Sequence, residues 1–180
     1  MTLRLDDAPY ASPFQFCPRC GAAGLDRPGP KLVQCPRCDF SLFFNVAAAV
    51  AALIIHDHGL LVTRRRYDPA AGTLDLPGGF VDPGETAREA LQREIYEELS
   101  LEVTRADFFC SLPNRYPYGG IEYRTLDLAF VCRIKDISTL KPGDDVAGCR
   151  WVPVQHLQPG EFGLQSIKKL VVRYRDRVAG

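Results

Sequence analysis

The chain has 180 residues, of which 46% are hydrophobic and 24% are charged, a composition typical of globular proteins that excludes the disordered and fibrous classes. Lys and Arg together number 22, as do Asp and Glu, so the chain has no net positive charge that would attract nucleic acid or an anionic membrane. The longest apolar run, Val46 to Ile55, has half of the roughly 20 residues that a membrane span needs, and we expect no membrane partner.

The N-terminal residues, Met1 to Asp7, lack the basic and then apolar pattern of a secretory signal. We therefore expect the chain to stay in the reducing cytoplasm, where its seven cysteines do not form disulfides. Metal binding and core packing are then the roles left for these cysteines.

Four of the cysteines form a repeated motif, Cys17-Pro-Arg-Cys20 and Cys35-Pro-Arg-Cys38, with 14 residues between the two copies. Two facing Cys-x-x-Cys turns can bring four thiolates to one tetrahedral point, which is the geometry of a structural Zn²⁺ site. The alternatives are a redox pair, which needs only one such motif, and cysteines that are simply buried. Gly and Pro residues between the motifs predict a loop. We predict a small module that resembles a zinc ribbon over residues 1–45, followed by a larger domain over 46–180.

The larger domain alternates apolar runs with turn residues, which predicts strands mixed with two helices in an α/β sandwich. Thr86-Ala-Arg-Glu89 is a capping box, so the first helix begins there and runs to about Leu99. The predicted strands cover Val46–Ile55, Leu60–Arg66, short pieces within Thr73–Val81, Glu102–Cys110, Tyr123–Ile134 and Gly148–Val154. A second, amphipathic helix covers Leu164–Val178.

The first predicted helix carries three glutamates beside its buried face. Winding it at about 100° per residue puts Leu91 and Ile95 at the centre of that face, with Glu98 among them and Glu94 and Glu97 at its flank. Like charges at these spacings repel each other, whereas a divalent cation would make their proximity favourable. Carboxylate oxygens suit Mg²⁺ or Mn²⁺, and Mg²⁺ often shares the phosphates of a substrate. An ordinary charged helix is the alternative.

The segment Gly79–Leu101 resembles the Nudix box: a glycine, five residues, a glutamate, seven residues, then Arg-Glu-aliphatic-x-Glu-Glu-x-Gly-aliphatic. Every defining position matches except Ser100, which stands where the family has a left-handed glycine after the helix. Serine in that conformation is expected to cost on the order of 1 kcal/mol. The resemblance implies a Nudix-type α/β/α sandwich with a mixed sheet. It also implies an enzyme in which water attacks a phosphorus atom of a nucleoside diphosphate linked to another group.

The resemblance also implies roles for individual residues. Glu94 or Glu98 would act as the base, Arg93 would hold the glutamates in place, and Glu85 would pair with Arg93 or support a second metal. The implied ligands of Mg²⁺ or Mn²⁺ are Glu94, Glu97, Glu98 and the backbone carbonyl of Gly78. The implied catalytic set is Glu85, Arg93, Glu94, Glu97 and Glu98.

A zinc ribbon before a Nudix domain resembles the NADH pyrophosphatase arrangement. That family carries Ser-Gln-Pro-Trp-Pro-Phe-Pro-x-Ser after its box, and the predicted loop Ser111–Tyr118 retains the serine, two prolines and an aromatic residue. NAD(H) is therefore the leading nucleotide substrate, with ADP-ribose-type sugars, dinucleotides and nucleoside triphosphates left open. Candidate substrate-binding residues, for stacking a base or meeting phosphate, are Arg64, Arg66, Arg115, Tyr116 and Tyr118. The alternative for Arg64 and Arg66 is that they lie on a solvated strand edge. The alternative for the other three is that they belong to an aromatic loop packed over the domain.

A second function considered is a nucleotide sensor or nucleic-acid-binding regulator with a Nudix fold, in which the ribbon is the recognition surface. The intact glutamates and the balanced charge argue against it, because nonspecific nucleic-acid binding rests on a basic surface. A ribbon can also form a dimer contact, and the sequence leaves a homodimer open.

Overall fold

A computed structural model describes residues 14–29, 31–57 and 59–179 of the chain. The N-terminal segment Met1 to Asp7, which lacks a signal pattern, and His58, which lies between the first two predicted strands of the larger domain, are outside the described residues. The described chain divides into two compact units. One comprises the described part of Met1–Val46 with Pro117–Tyr123, and the other the described parts of Ala47–Tyr116 and Arg124–Gly180. The domain boundary that the sequence predicts between residues 45 and 46 remains a prediction.

The first unit contains three short strands: β1 (Asp26–Gly29), β2 (Leu32–Gln34) and β3 (Ser41–Phe43). They form an antiparallel sheet in the order β1-β2-β3. Strands β1 and β2 lie in the stretch that the sequence predicts as a loop, so that prediction is wrong for these residues. Strands of three or four residues are too short for a period-2 pattern to reveal.

The remaining elements are β4 (Ala47–His56), β5 (Gly59–Arg65), β6 (Leu74–Asp75), α1 (Ala87–Leu99), β7 (Val103–Tyr118), β8 (Ile121–Ile134), β9 (Val146–Val152) and α2 (Gln165–Ala179). Short 3-10 helices occupy Ile137–Thr139, Val154–His156 and Pro159–Glu161. The strand order is β6-β5-β4-β8-β7, with β9 paired to β5. Because β4 and β8 are parallel while β5 is antiparallel to β4, β6 and β9, the sheet is mixed as predicted. Among the described residues, no helix has both the length and the apolar character of a membrane span.

Strand β4 contributes to two hydrophobic cores, because successive residues of a strand face opposite sides of the sheet. Ala51 and Leu53 belong to a core that includes apolar residues of α2. Ala52 and Ile54 belong to a core that includes the buried residues of α1. The two helices therefore cover opposite faces of the sheet, which confirms the predicted α/β/α sandwich.

Helix α1 begins and ends as the sequence predicts. The Thr86 hydroxyl accepts a hydrogen bond from the Glu89 backbone N–H at 3.3 Å, and the Glu89 carboxylate accepts one from the Thr86 backbone N–H at 2.8 Å. At the other end, Ser100 has φ 56° and ψ 30°, so this serine adopts the left-handed conformation. The capping box sets where the helix starts and hence which glutamates face the sheet.

Strand β7 is longer than predicted and includes Ser111–Tyr118, the segment that the sequence predicts as a loop. The prediction of a loop is wrong for this segment, although it contains Pro113 and Pro117. Proline removes a backbone donor, yet β7 is the last strand in the sheet order, and an edge strand tolerates proline. The segment is therefore a strand that can present alternate side chains to one face.

Candidate active site and metal centre

The Gly78–Gly79 loop is fixed beside β4, where the Val50 backbone N–H donates a hydrogen bond to the Gly79 carbonyl at 2.8 Å. Gly78 has φ 142°, and a Cβ there would overlap the Val50 carbonyl oxygen. At Gly79, a Cβ would overlap the carboxylate of Glu94. Both glycines are therefore required by close approach, the first to strand β4 and the second to a glutamate of α1.

Glu98 faces this loop, since its carboxylate accepts a hydrogen bond from the Gly78 backbone N–H at 3.1 Å. Burial, together with the charges of Glu94 and Asp75, raises the pKa of Glu98 to about 8, against the opposite effect of the Gly78 N–H. A carboxyl group whose pKa lies near neutrality is suited to proton transfer.

Arg93 joins three of the predicted catalytic carboxylates. Its guanidinium donates two hydrogen bonds to Glu85, from Nε at 2.7 Å and from Nη2 at 2.9 Å. Its Nη1 donates to Glu94 at 2.8 Å and to Glu97 at 3.2 Å, and its Nη2 donates to the Phe80 carbonyl at 3.0 Å. The Arg93 guanidinium lowers the pKa of Glu85 to about 2, whereas burial raises the pKa of Glu94 despite the same arginine.

The three helix glutamates lie in two different surroundings. Glu94 and Glu97 contact Arg93, while Glu98 contacts Gly78. In the described part of the chain, the carboxylate oxygens of these three glutamates are not all within 4.8 Å of one another. The sulfurs of the four N-terminal cysteines do lie within that distance of one another. A cation shared by all three glutamates would therefore require at least one of these side chains to move.

The four cysteines of the repeated motif come together as predicted. The sulfurs of Cys17 and Cys38 are 3.6 Å apart, and those of Cys20 and Cys35 are 3.7 Å apart. All four are free thiols. Zn–S bonds of about 2.3 Å in a tetrahedron separate the sulfurs by about 3.8 Å. The cluster therefore has the spacing of a four-thiolate site and fits the predicted zinc ribbon.

The two Cys-x-x-Cys turns repeat the same backbone geometry. The Gly21 N–H donates to the Cys17 carbonyl at 2.9 Å, and the Asp39 N–H donates to the Cys35 carbonyl at 3.1 Å. Both donors have positive φ, 70° for Gly21 and 53° for Asp39. Since the two turns have equivalent shapes, each directs its pair of sulfurs in an equivalent way.

Two of the three arginines predicted to bind substrate, Arg64 and Arg66, donate side-chain hydrogen bonds to backbone carbonyls. Arg64 donates a hydrogen bond to the backbone carbonyl of Gly72, and Arg66 donates one to the carbonyl of Val146 at 3.2 Å. Arg115 is exposed on β7. Their role in substrate binding stays a prediction.

The two tyrosines predicted to bind substrate differ in their surroundings. Tyr118 is 64% exposed and belongs to the first compact unit. Tyr116 belongs to the second unit, where its ring meets the Phe80 ring edge-on with 5.4 Å between centroids. Its hydroxyl accepts a hydrogen bond from Arg65 Nη2 at 3.3 Å. Since the Phe80 carbonyl accepts a hydrogen bond from Arg93, Tyr116 is connected through Phe80 to the glutamate network.

Arg65 is the arginine of the Arg64–Arg66 run that sequence reasoning missed. Its Nη1 lies 2.6 Å from Asp75 Oδ2, and burial raises the pKa of Asp75 against the opposing effect of this arginine. The register of β5 against β9 is irregular between Arg64 and Arg65, so simple alternation fails at that point. The pairing of β5 with β6, which brings Asp75 opposite Thr63, is the signal that could have revealed the contact.

Comparison with known sequences gives matches over most of the chain. The sequence model of the NUDIX domain matches residues 45–172. An ADP-ribose pyrophosphatase from Methanocaldococcus jannaschii is 32% identical over 139 residues, covering 76% of this chain and 79% of that protein. An NAD-capped RNA hydrolase, NudC, from Haemophilus influenzae is 29% identical over 110 residues, or 60% of this chain. The chain spans 42% of the length of that second relative.

Comparison with solved structures gives the same fold. The crystal structure of a NUDIX hydrolase from Nitrosomonas europaea matches with a TM-score of 0.73 at 23% identity, covering 91% of each chain. The described sheet and helices therefore have a counterpart in a solved structure.

Proposed function

Because the chain belongs to the NUDIX domain family, we propose that it hydrolyses a nucleoside diphosphate linked to another group, with NAD(H) or an ADP-ribose-like compound as substrate. Water attacks one phosphorus atom, and the bond from that atom to the bridging oxygen breaks. With NADH, the products are AMP and reduced nicotinamide mononucleotide. The relatives named ADP-ribose pyrophosphatase and NAD-capped RNA hydrolase support this choice.

The observation that carries the proposal is the placing of the α1 glutamates against the Gly78–Gly79 loop. The missing side chain at Gly79 leaves the space that the Glu94 carboxylate occupies. Carboxylate and carbonyl oxygens are the ligands that Mg²⁺ and Mn²⁺ prefer, so this donor set fits such an ion. The residues that would hold it are Glu94, Glu97, Glu98 and the carbonyl of Gly78. When bound, the ion neutralises charge on phosphate oxygens and lowers the pKa of water.

The protein's own groups have separate roles in the proposed reaction. Arg93 holds the carboxylates in position, and Glu85, with a pKa of about 2, remains ionised and anchors Arg93 at neutral pH. Glu94 or Glu98 takes the proton from the attacking water. Tyr116, whose hydroxyl accepts a hydrogen bond from Arg65, contacts the nucleotide beside the glutamates.

The direct test measures product formation with Mg²⁺ and a panel of NADH, NAD⁺, ADP-ribose, diadenosine polyphosphates, nucleoside triphosphates and NAD-capped RNA. We expect Glu97→Gln to lower turnover on the order of 10²-fold or more, because one ligand charge is lost. Glu102→Gln is the matched control, since Glu102 is exposed and pairs with Lys135 at 3.0 Å away from the site.

Equal turnover in Glu97→Gln and wild type would refute the proposed site. Pyrophosphate release from triphosphates as the preferred reaction would replace the NAD(H) assignment. Failure to cleave any substrate, together with tight binding of a nucleotide or nucleic acid, would favour the regulator.

For the ribbon, the proposal is a structural Zn²⁺ held by Cys17, Cys20, Cys35 and Cys38. Four thiolate ligands leave no open coordination position, so the ion would stabilise the module and take no part in hydrolysis. Free thiols at all four positions accord with the reducing cytoplasm that we propose as the location. A dimer contact through the ribbon stays a prediction.

A further inference from the structure

Asn114 is a buried amide without a hydrogen-bond partner for its oxygen. The residue is 7% exposed, and its Oδ1 atom accepts no hydrogen bond from any part of the chain that the structure describes. Buried polar side chains in proteins are nearly always paired, and an unpaired one costs free energy. At this point of β7 there is thus an amide oxygen that the described residues do not pair.

The position of Asn114 on β7 indicates which way its side chain faces. Alternate residues of a strand point to the same side, so Asn114 shares a face with Leu112 and Tyr116. Leu112 belongs to the hydrophobic core on the α2 side of the sheet. Tyr116 meets the Phe80 ring next to the glutamates. Asn114 therefore lies between the closed core and the aromatic pair that borders the proposed active site.

Another buried polar side chain on this face of the sheet already has partners. Asp127 on β8 faces the same side, since Ala129 two residues later belongs to the same core as Leu112. Its two carboxylate oxygens accept hydrogen bonds from the hydroxyls of Thr125 and Ser166. The described part of the chain thus supplies partners for Asp127 but none for Asn114 Oδ1, which leaves that oxygen available to a bound molecule.

We propose that Asn114 is a specificity-determining residue whose carboxamide hydrogen-bonds a planar edge of the substrate carrying an N–H donor beside an acceptor. This inference rests on the proposed function. An asparagine amide offers one acceptor and two donors, and it pairs in this way with the N6 and N7 atoms of adenine. A carboxamide such as that of nicotinamide has the same pattern. Phosphate offers only acceptors at its oxygens and would leave Oδ1 unpaired.

The test compares three dinucleotides that differ by one group at a planar edge. The first is NAD⁺. In nicotinamide hypoxanthine dinucleotide an oxygen replaces the adenine amino group, and in nicotinic acid adenine dinucleotide a carboxylate replaces the carboxamide. The wild type should reject one of the two analogues by about 10- to 100-fold in kcat/KM, because the analogue leaves Oδ1 unpaired. The rejected analogue identifies whether adenine or the carboxamide is read.

In Asn114→Ala this discrimination should fall to about threefold or less, because the group that detects the difference is gone. The ratio for the other analogue should not change. Gln155→Ala removes an exposed amide and should keep the wild-type ratios. If Asn114→Ala does not fold, Asn114→Ser provides the same comparison with a polar group of smaller size.

The inference is wrong if the wild type treats the three dinucleotides alike, or if Asn114→Ala lowers kcat/KM for all three in equal proportion. If the wild type cleaves none of them, the proposed function fails separately. Calorimetry then tests Asn114 by comparing binding affinities within two pairs of mononucleotides. The first pair is AMP and IMP, and the second is nicotinamide mononucleotide and nicotinic acid mononucleotide. Equal affinities within each pair would overturn the inference.

Discussion

Arg65 and Asp75 form an ion pair in which Arg65 Nη1 lies 2.6 Å from Asp75 Oδ2, with side chains only 18% and 11% exposed. Removing one partner leaves a buried charge uncompensated. We therefore expect Arg65→Gln to lower the free energy of unfolding by about 3–5 kcal/mol, measured by urea denaturation at pH 7. The double variant Arg65→Met, Asp75→Leu should recover at least half of the loss. A loss as small as that of Arg66→Gln, at an exposed position, would contradict the pairing.

Gly79→Ala should separate activity from stability. The new Cβ would overlap the carboxylate of Glu94, which is the mobile end of a side chain, so the carboxylate moves and the backbone does not have to. We expect an activity loss of about 10²-fold or more, with a change in unfolding free energy below about 1 kcal/mol. Gly160→Ala is the control, because a Cβ there meets no atom within 4 Å. Full activity in Gly79→Ala would show that the position of Glu94 is unimportant.

Binding of Mg²⁺ should release a proton at pH 7. The pKa of Glu98 is raised to about 8, so this carboxyl group is mostly protonated at pH 7 and must ionise to bind a cation. Apparent Mg²⁺ affinity should therefore rise as pH approaches 8, by up to about tenfold per pH unit, and level off above it. Calorimetry in buffers of different ionisation enthalpy measures the proton count. The same proton release in Glu98→Gln would assign it to another group.

Ser100→Gly should stabilise the protein by about 1 kcal/mol, because Ser100 has φ 56° and glycine adopts this conformation without strain. Hydrolysis should be unchanged, since the position only ends helix α1. Ser111→Gly on β7 is the control and should destabilise, because glycine weakens a strand. Urea denaturation of both variants decides the matter, and equal shifts of the same sign would refute the strain argument.

Cys20→Ser should remove the zinc that we expect at one ion per chain. The Cys20 sulfur lies 3.7 Å from that of Cys35, so its loss opens a four-ligand site. Cys149→Ser removes a cysteine of β9 outside the cluster and should retain the full zinc content. Elemental analysis of the purified proteins measures the metal. Equal zinc in the two variants would place the ion elsewhere.

The sequence predicts most accurately the features that depend on local chemistry. Helix α1 runs from Ala87 to Leu99, as its capping box and apolar period require. Ser100 adopts the left-handed conformation because a helix end of this kind needs it, whichever residue stands there. The cysteine cluster also forms as predicted, since two short turns of one geometry suffice to direct four sulfurs.

Features that depend on pairing between distant segments were missed. The contact of Arg65 with Asp75 requires the register of β5 against β6, and an irregularity beside Arg64 breaks the alternation from which exposure is inferred. The strand character of Ser111–Tyr118 depends on the place of β7 at the end of the sheet, which no local pattern reveals. For the same reason a lone asparagine at position 114 carries no signal until its burial is known.

The edge position of β7 has an evolutionary consequence. The groups proposed for hydrolysis come from one continuous segment, Gly78 to Glu98, whereas the groups proposed for recognition, Asn114 and Tyr116, lie on the strand that follows it. Within the described sheet order β7 adjoins β8 alone, so substitutions there can disturb the backbone pairing of only one neighbouring strand. Substrate preference can therefore diverge among homologues through β7 while the hydrolytic segment stays constant, and an identical glutamate segment does not imply a shared substrate.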